Sequence, residues 1–150
     1  MVYADLGSRT GKYFDPETDN AMEKQGQHIR IMFVDNDPLV RDSLKTYFHR
    51  CPGRSLFFKT GADGLNSLKH HPADIVVSDY FLPDMDGIAF LNQVNQIHTR
   101  AVRILTATLG DEALAARCRQ NGIDRFIEKP LNGKALDEVI DQFMRQPFGD

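Results

Sequence analysis

From residue 28 onward the chain alternates short apolar runs, rich in β-branched residues, with longer stretches whose apolar positions recur every three or four residues. The short runs predict five strands: Ile31 to Val34, Leu56 to Lys59, Ile75 to Ser78, Val102 to Thr106 and Arg125 to Glu128. The longer stretches predict helices near 38–50, 62–70, 87–97, 111–120 and 133–145. In the last of these, Leu136, Val139, Ile140, Phe143 and Met144 fall at i, i+3, i+4, i+7 and i+8, which is one buried stripe. The third and fourth runs hold few polar residues, so both faces of those strands should be covered, as in a parallel sheet with helices on each side. The pattern therefore predicts an α/β protein, a three-layer (βα)5 sandwich. Helix starts agree with it. Asp37-Pro38 supplies an N-cap with proline at the first helical position, and Gly110 or Asp111 can open the fourth helix.

Residues 1–27 break this grammar. They show no periodicity and hold Gly, Asp, Pro and Glu in quick succession, which predicts a flexible N-terminal extension before a single domain at 28–147 and a short end at 148–150. A chain of 150 residues suits one domain and can bury a sound core without metal or disulfide staples. Its formal net charge of −3 argues against non-specific binding to nucleic acid or to an anionic membrane, since both need a basic field. Cys51 and Cys118 lie in no CxxC or His/Cys cluster, so they read as free thiols in a reducing compartment. No apolar run approaches the roughly 20 residues of a membrane span, and the amino terminus lacks a basic start followed by an apolar stretch. The expected location is cytoplasmic.

In a parallel α/β sheet, ligands bind outside the carboxyl ends of the strands. The first strand ends in Asp35-Asn36-Asp37, the third in Asp79, the fourth in Thr106 and the fifth in Lys129-Pro130. Two acids, a hydroxyl and an ammonium thus converge on one edge. Carboxylates crowded there lose hydration and repel one another, so a cation has to accompany them. A carboxylate so placed can attack a phosphoryl group in line, provided the charge on the transferring oxygens is offset.

In order and in local sequence this set resembles the receiver domain of two-component response regulators. "VDNDP" resembles the family's acidic pair, "SDYFLPDMDG" its phosphoacceptor motif, "LTAT" its hydroxyl motif and "EKP" its lysine-proline motif, over about residues 29 to 145. The resemblance implies a flavodoxin-like sandwich with its five parallel strands in the order 2-1-3-4-5. It implies Asp79 as phosphoacceptor, Thr106 as switch hydroxyl, Lys129 as the conserved lysine and Phe126 as switch aromatic. Mg²⁺ would be held by Asp35, Asp79 and the backbone carbonyl of Phe81. Receivers commonly hold the lysine-proline bond cis, and the same is expected of Lys129-Pro130. The implied partners are a sensor histidine kinase or histidine phosphotransfer protein, which donates the phosphoryl group, and a downstream protein or an output domain not present after residue 147. A homodimer formed on phosphorylation is a further implied partner. The module would catalyse only its own phosphorylation and dephosphorylation, and the face of the fourth helix, fifth strand and fifth helix would change with them.

One residue departs from the pattern. Where most of the family carries a second acid that touches the metal, this chain has Asn36, whose amide oxygen can coordinate Mg²⁺ but brings no charge. The alternative reading is accordingly a degenerate receiver that acts as a protein-interaction module without phosphate. A haloacid-dehalogenase-type phosphatase would use Asp35 as nucleophile with Thr106 and Lys129. It would need another acidic motif after the lysine, and it leaves Asp79 idle. Asp84 and Asp86 read as loop and helix-start residues, and Asp37 as a helix cap rather than a metal ligand. The five histidines, among them His70 and His71, read as solvated positions with no catalytic part.

Overall fold

The architecture below comes from a computed structural model that describes residues 29–50, 55–108 and 110–144. The extension at 1–27, His28, Cys51 and the end at 148–150 lie outside the described residues. In chain order the elements are β1 (Ile31–Val34), α1 (Pro38–Tyr47), a 3₁₀ turn (Phe48–Arg50), β2 (Ser55–Phe58), α2 (Gly61–Leu68), β3 (Ile75–Asp79), α3 (Gly87–Ile97), β4 (Val102–Ala107), α4 (Glu112–Gln120), β5 (Arg125–Glu128) and α5 (Gly133–Met144). All strand pairs are parallel and the order is β2-β1-β3-β4-β5. This is the flavodoxin-like (βα)5 arrangement expected. The first helix is shorter than its pattern suggested, because its last turn tightens into the 3₁₀ segment at Phe48.

Alternation along the strands divides the core into two layers. Ile31, Phe33, Ile75, Val77, Val102 and Ile104 face α1 and α5, where Leu44, Leu136 and Ile140 meet them. Met32, Val34, Val76, Leu105 and Ala107 face α2, α3 and α4, against Leu68, Phe90, Leu91, Val94, Leu114 and Cys118. β3 and β4 are buried almost throughout, as their apolar runs predicted. Leu136 and Phe90 are wholly enclosed, so truncating either to Ala should cost about 2–5 kcal/mol. Helix starts are capped as their sequences suggest. Asp37, Thr60, Asp86 and Asp111 each accept a main-chain N–H of the first turn that follows. Among the described residues no helix is long and apolar enough to cross a membrane.

At the amino-terminal end of the sheet two arginine–aspartate pairs join neighbouring strands. The Arg30 N–H donates to Asp74 Oδ2 at 2.9 Å, its guanidinium grips both carboxylate oxygens, and the Asp74 N–H returns to the Arg30 carbonyl at 2.8 Å. The Arg103 N–H donates to Asp124 Oδ2 at 2.8 Å and the Asp124 N–H returns to the Arg103 carbonyl at 2.9 Å. Arg103 is buried, and its guanidinium donates to the carbonyls of Leu91, Asn121 and Gly122, tying α3 to the end of α4.

Candidate functional site

The opposite, carboxyl end of the sheet gathers the predicted residues. Asp35 follows β1, Asp79 closes β3 and Lys129 follows β5. The Lys129 Nζ lies 2.8 Å from Asp35 Oδ2 and 3.4 Å from Asp79 Oδ2, and the three side chains are only 5–12% exposed. The Lys129 N–H continues the ladder to the Ala107 carbonyl at 2.8 Å, and the Lys129–Pro130 peptide is cis, as expected. Asp35 Oδ1 accepts the Asp37 N–H at 2.9 Å, while the Arg41 guanidinium donates to the Asp35 carbonyl at 2.7 Å. Asp37 itself caps α1 through Leu39 N–H, and Asn36 between them is exposed.

Electrostatics at this cluster follow from burial. Burial and the neighbouring Asp35 charge push the Asp79 carboxyl above its ordinary range, against the pull of Lys129 and of the Phe81 N–H that donates to it. Burial would lower Lys129, yet the hydrogen bond and charge of Asp35, joined by those of Asp79, outweigh it and hold the ammonium above its usual value. Thr106 is the register partner of Asp79 on the adjacent strand. Its hydroxyl is buried without a hydrogen-bond partner among the described residues, a state that costs about 1–3 kcal/mol. An oxygen-rich group arriving beside Asp79 would relieve it.

The donor set suits a hard cation. Among the described residues no three His, Cys, Asp or Glu side chains gather to hold a metal by themselves. Mg²⁺ commonly takes one or two carboxylates and completes its octahedron with other oxygens and water. Asp35 and Asp79 fit that requirement, their carboxylates lying 2.8 and 3.4 Å from one ammonium.

Phe126 is not in the cluster. It lies half-buried in β5, its ring packed so close to Gly110 before α4 that a Cβ there would fall 2.5 Å from it. Asp84 and Asp86 are loop and cap residues, as read from the sequence. Asp84 accepts the Gly61 and Ala62 N–H groups at the start of α2, and Asp86 accepts Ala89 N–H. His49, His70 and His71 are exposed, whereas His98 is half-buried against the Leu68 carbonyl. Cys118 is a buried free thiol.

Three contributors escaped the sequence reading. Arg41 holds the Asp35 main chain, a bond that helical periodicity does not show. Tyr80 donates its N–H to the Thr106 carbonyl at 2.8 Å, and its hydroxyl accepts from Arg117 Nη1 of α4 at 2.9 Å. Gly87 sits against the Asp79 main chain: its N–H donates to the Tyr80 carbonyl at 2.6 Å, and a Cβ on it would lie 2.2 Å from the Asp79 carbonyl oxygen. The "DG" at the start of a helix is the available signal for Gly87, and it is equally compatible with a plain cap.

The family model described as the response regulator receiver domain matches residues 31–141. The chain belongs to that family. Chemotaxis protein CheY of Bacillus subtilis is 31% identical over 114 residues, covering 75% of this chain and 95% of CheY. Transcriptional activator protein PfeR of Pseudomonas aeruginosa is 29% identical over 117 residues, 78% of this chain but 38% of PfeR. Sensor histidine kinase RcsC of Salmonella typhi matches 83% of this chain at 28% identity, within 13% of its own length. Among solved structures, the BeF3-activated receiver domain of DrrB, a Thermotoga maritima protein, superposes with a TM-score of 0.71 at 25% identity over 79% of this chain and 98% of that one. The chain thus spans nearly all of CheY and about half or less of the transcriptional regulators PfeR and AfsQ1 that it matches. Receiver domains are signalling modules of two-component systems, found both in response regulators and within sensor kinases.

Proposed function

We propose that Asp79 accepts a phosphoryl group from a phosphohistidine on a sensor kinase or phosphotransfer protein, and that the chain thereby switches a partner-binding surface. In this reaction a carboxylate oxygen of Asp79 forms a bond to phosphorus as the N–P bond of phosphohistidine breaks, and the departing imidazole takes up a proton. Lys129 offsets charge on one phosphoryl oxygen, and the Thr106 hydroxyl donates to another. Asp35, Asp79 and the Phe81 carbonyl would hold Mg²⁺, which supplies the further positive charge such a transfer needs. The observation that carries this reading is the buried, partnerless Thr106 hydroxyl in register beside Asp79, with the Lys129 ammonium reaching both acids.

Movement of Thr106 toward a phosphoryl oxygen would pull on the Tyr80 N–H and, through Arg117, on α4. Phe126 would respond at Gly110, and so the face of α4, β5 and α5 would differ between the two states. The chain has no other catalytic part in this scheme. A nucleophilic role for Asp35 is disfavoured, because it would leave idle Asp79, the acid in register with the partnerless Thr106 hydroxyl. The second reading, a phosphate-independent interaction module, is favoured by one observation: the exposed, uncharged Asn36 in the acidic loop.

Incubation with acetyl phosphate and Mg²⁺ should add one phosphoryl group to the intact protein by mass spectrometry, and Asp79→Asn should take up none. Labelling of Asp79→Asn at the wild-type level would refute the assignment. An unlabelled wild-type protein would favour the interaction module.

A further inference from the structure

The loop between β3 and α3 is anchored at its base and at its tip. At the base Phe81 and Asp86 form an antiparallel bridge, and the Phe81 N–H donates to the Asp79 carboxylate. At the tip Asp84 reaches α2: its Oδ1 accepts the Gly61 N–H and its Oδ2 the Ala62 N–H, each at 2.9 Å. Those are two of the donors that the start of a helix leaves without an intrahelical partner, and the next one, on Asp63, goes to Thr60 Oγ1 at 3.1 Å. Met85 lies against the same turn, so close that a Cβ on Gly61 would stand 2.8 Å from its Sδ. The Phe81 side chain is not held by the core: it is 72% exposed, with its ring against that of Tyr80. The place of the Phe81 N–H is therefore set by the hydrogen bonds of the loop rather than by burial.

We propose that Asp84 is a positioning residue for phosphoryl transfer: by gripping the first turn of α2 it keeps the loop closed and the Phe81 N–H on the Asp79 carboxylate. This rests on the phosphoacceptor reading and adds to it a residue that acts on the acceptor through the loop. A carboxylate that takes a fixed N–H on one oxygen presents the other in one direction, and in-line attack needs that direction held within a narrow range. Hydrogen bonds to a charged acceptor are the stronger ones, and the partial positive charge at a helix start adds to them. Thr60 caps the same helix from the preceding residue, so loss of its cap weakens α2 while leaving Asp84 both of its donors.

The test compares wild type, Asp84→Ala, Asp84→Asn and Thr60→Ala in the rate at which acetyl phosphate and Mg²⁺ label Asp79, and in hydrogen exchange at the Phe81 amide followed by NMR. Asp84→Ala should be labelled about tenfold more slowly or worse, the scale of loss expected when a reacting group is displaced by a fraction of an ångström. Its Phe81 amide should exchange about tenfold faster, as local opening of the loop requires. Asp84→Asn keeps one acceptor oxygen and should fall between wild type and alanine, and it carries the test if circular dichroism shows the alanine variant unfolded. Thr60→Ala should lose stability, as a missing cap does, yet stay within about twofold of wild type in both measurements. A folded Asp84 variant with wild-type labelling and exchange, or a Thr60→Ala as slow as Asp84→Ala, would overturn the positioning role. A wild-type protein that takes no label would instead remove the phosphoacceptor reading, and exchange at Phe81 then decides whether Asp84 holds the loop.

Discussion

Gly87→Ala offers a sharp test of how the acceptor strand is held. Gly87 is the first residue of α3, its φ is not in the left-handed region, and no conformational demand for glycine exists there. What forbids a side chain is space. A Cβ would stand 2.2 Å from the Asp79 carbonyl oxygen, 2.8 Å from a Leu105 methyl and 2.9 Å from Tyr80 Cα. Non-bonded contacts of this kind settle at about 3.5 Å, so the main chain of β3 and the start of α3 would have to part by roughly 1 Å. The 2.6 Å bond from Gly87 N–H to the Tyr80 carbonyl opposes that parting. Overpacking typically costs about 1–3 kcal/mol, and a main-chain neighbour that cannot rotate away places this site at the upper end. The smaller entropy of the unfolded alanine chain offsets about 0.4–1 kcal/mol of it. Net destabilisation of about 2–2.5 kcal/mol is expected in urea unfolding followed by circular dichroism. A displacement of about 1 Å at Asp79 should also slow acetyl phosphate labelling by roughly 100-fold. Gly64→Ala is the control, since the nearest atoms its Cβ would meet are side-chain ones, the Val34 methyl at 3.1 Å and the Phe90 ring at 3.2 Å. A Gly87→Ala protein as stable as wild type and labelled at the same rate would refute the reasoning.

Thr106→Val removes a buried hydroxyl without a partner, so the resting protein should gain stability, by up to about 1–3 kcal/mol in urea unfolding; a loss of stability would show that the hydroxyl is satisfied at rest. Asp84 is held below the usual carboxylate range because, although burial acts the other way, the Ala62 and Gly61 N–H groups favour its charged form. A depressed folded pKa gives stability that is full above the unfolded pKa and is lost as pH falls through the folded one; the deficit of Asp84→Ala in thermal melts should therefore be present at neutral pH and vanish below the carboxylate range. Asn36→Asp should tighten Mg²⁺ binding by about 1–3 kcal/mol in calorimetry, in line with charge-assisted contacts, and equal affinity would mean that residue 36 does not face the metal.

The elements were legible because local signals and burial agree. Short β-branched apolar runs marked the strands and period-3.6 stretches the helices, and Asp37-Pro38 and Asp86-Gly87 marked two helix starts. Asp35, Asp79, Thr106 and Lys129 were legible for a different reason: each ends a strand, and parallel strands put all such ends on one edge. Pair contacts across the edge were not legible. That Lys129 lies closer to Asp35 than to Asp79 depends on side-chain geometry, which no spacing reports. Asp84 reads as an ordinary loop acid until α2 is brought within reach, 22 and 23 residues earlier in the chain. The burial of Arg103 in β4 is likewise invisible in its own segment, because the carbonyls that satisfy its guanidinium come from Leu91 of α3 and from Asn121 and Gly122 after α4.

The reciprocal arginine–aspartate clasps have a consequence for how this molecule tolerates change. Each joins two adjacent strands through both main chain and side chain, and a slip of one residue would break all of those bonds together while turning the strand's apolar face outward. Alignment is thus decided at the base of the sheet, like pages bound along a spine. The rim that carries the acids and the lysine is left free to trade partners, because no rearrangement there can unbind the spine. Substitutions at the rim should accordingly alter signalling far more readily than they alter folding, whereas loss of Arg30 or Asp124 should do the reverse.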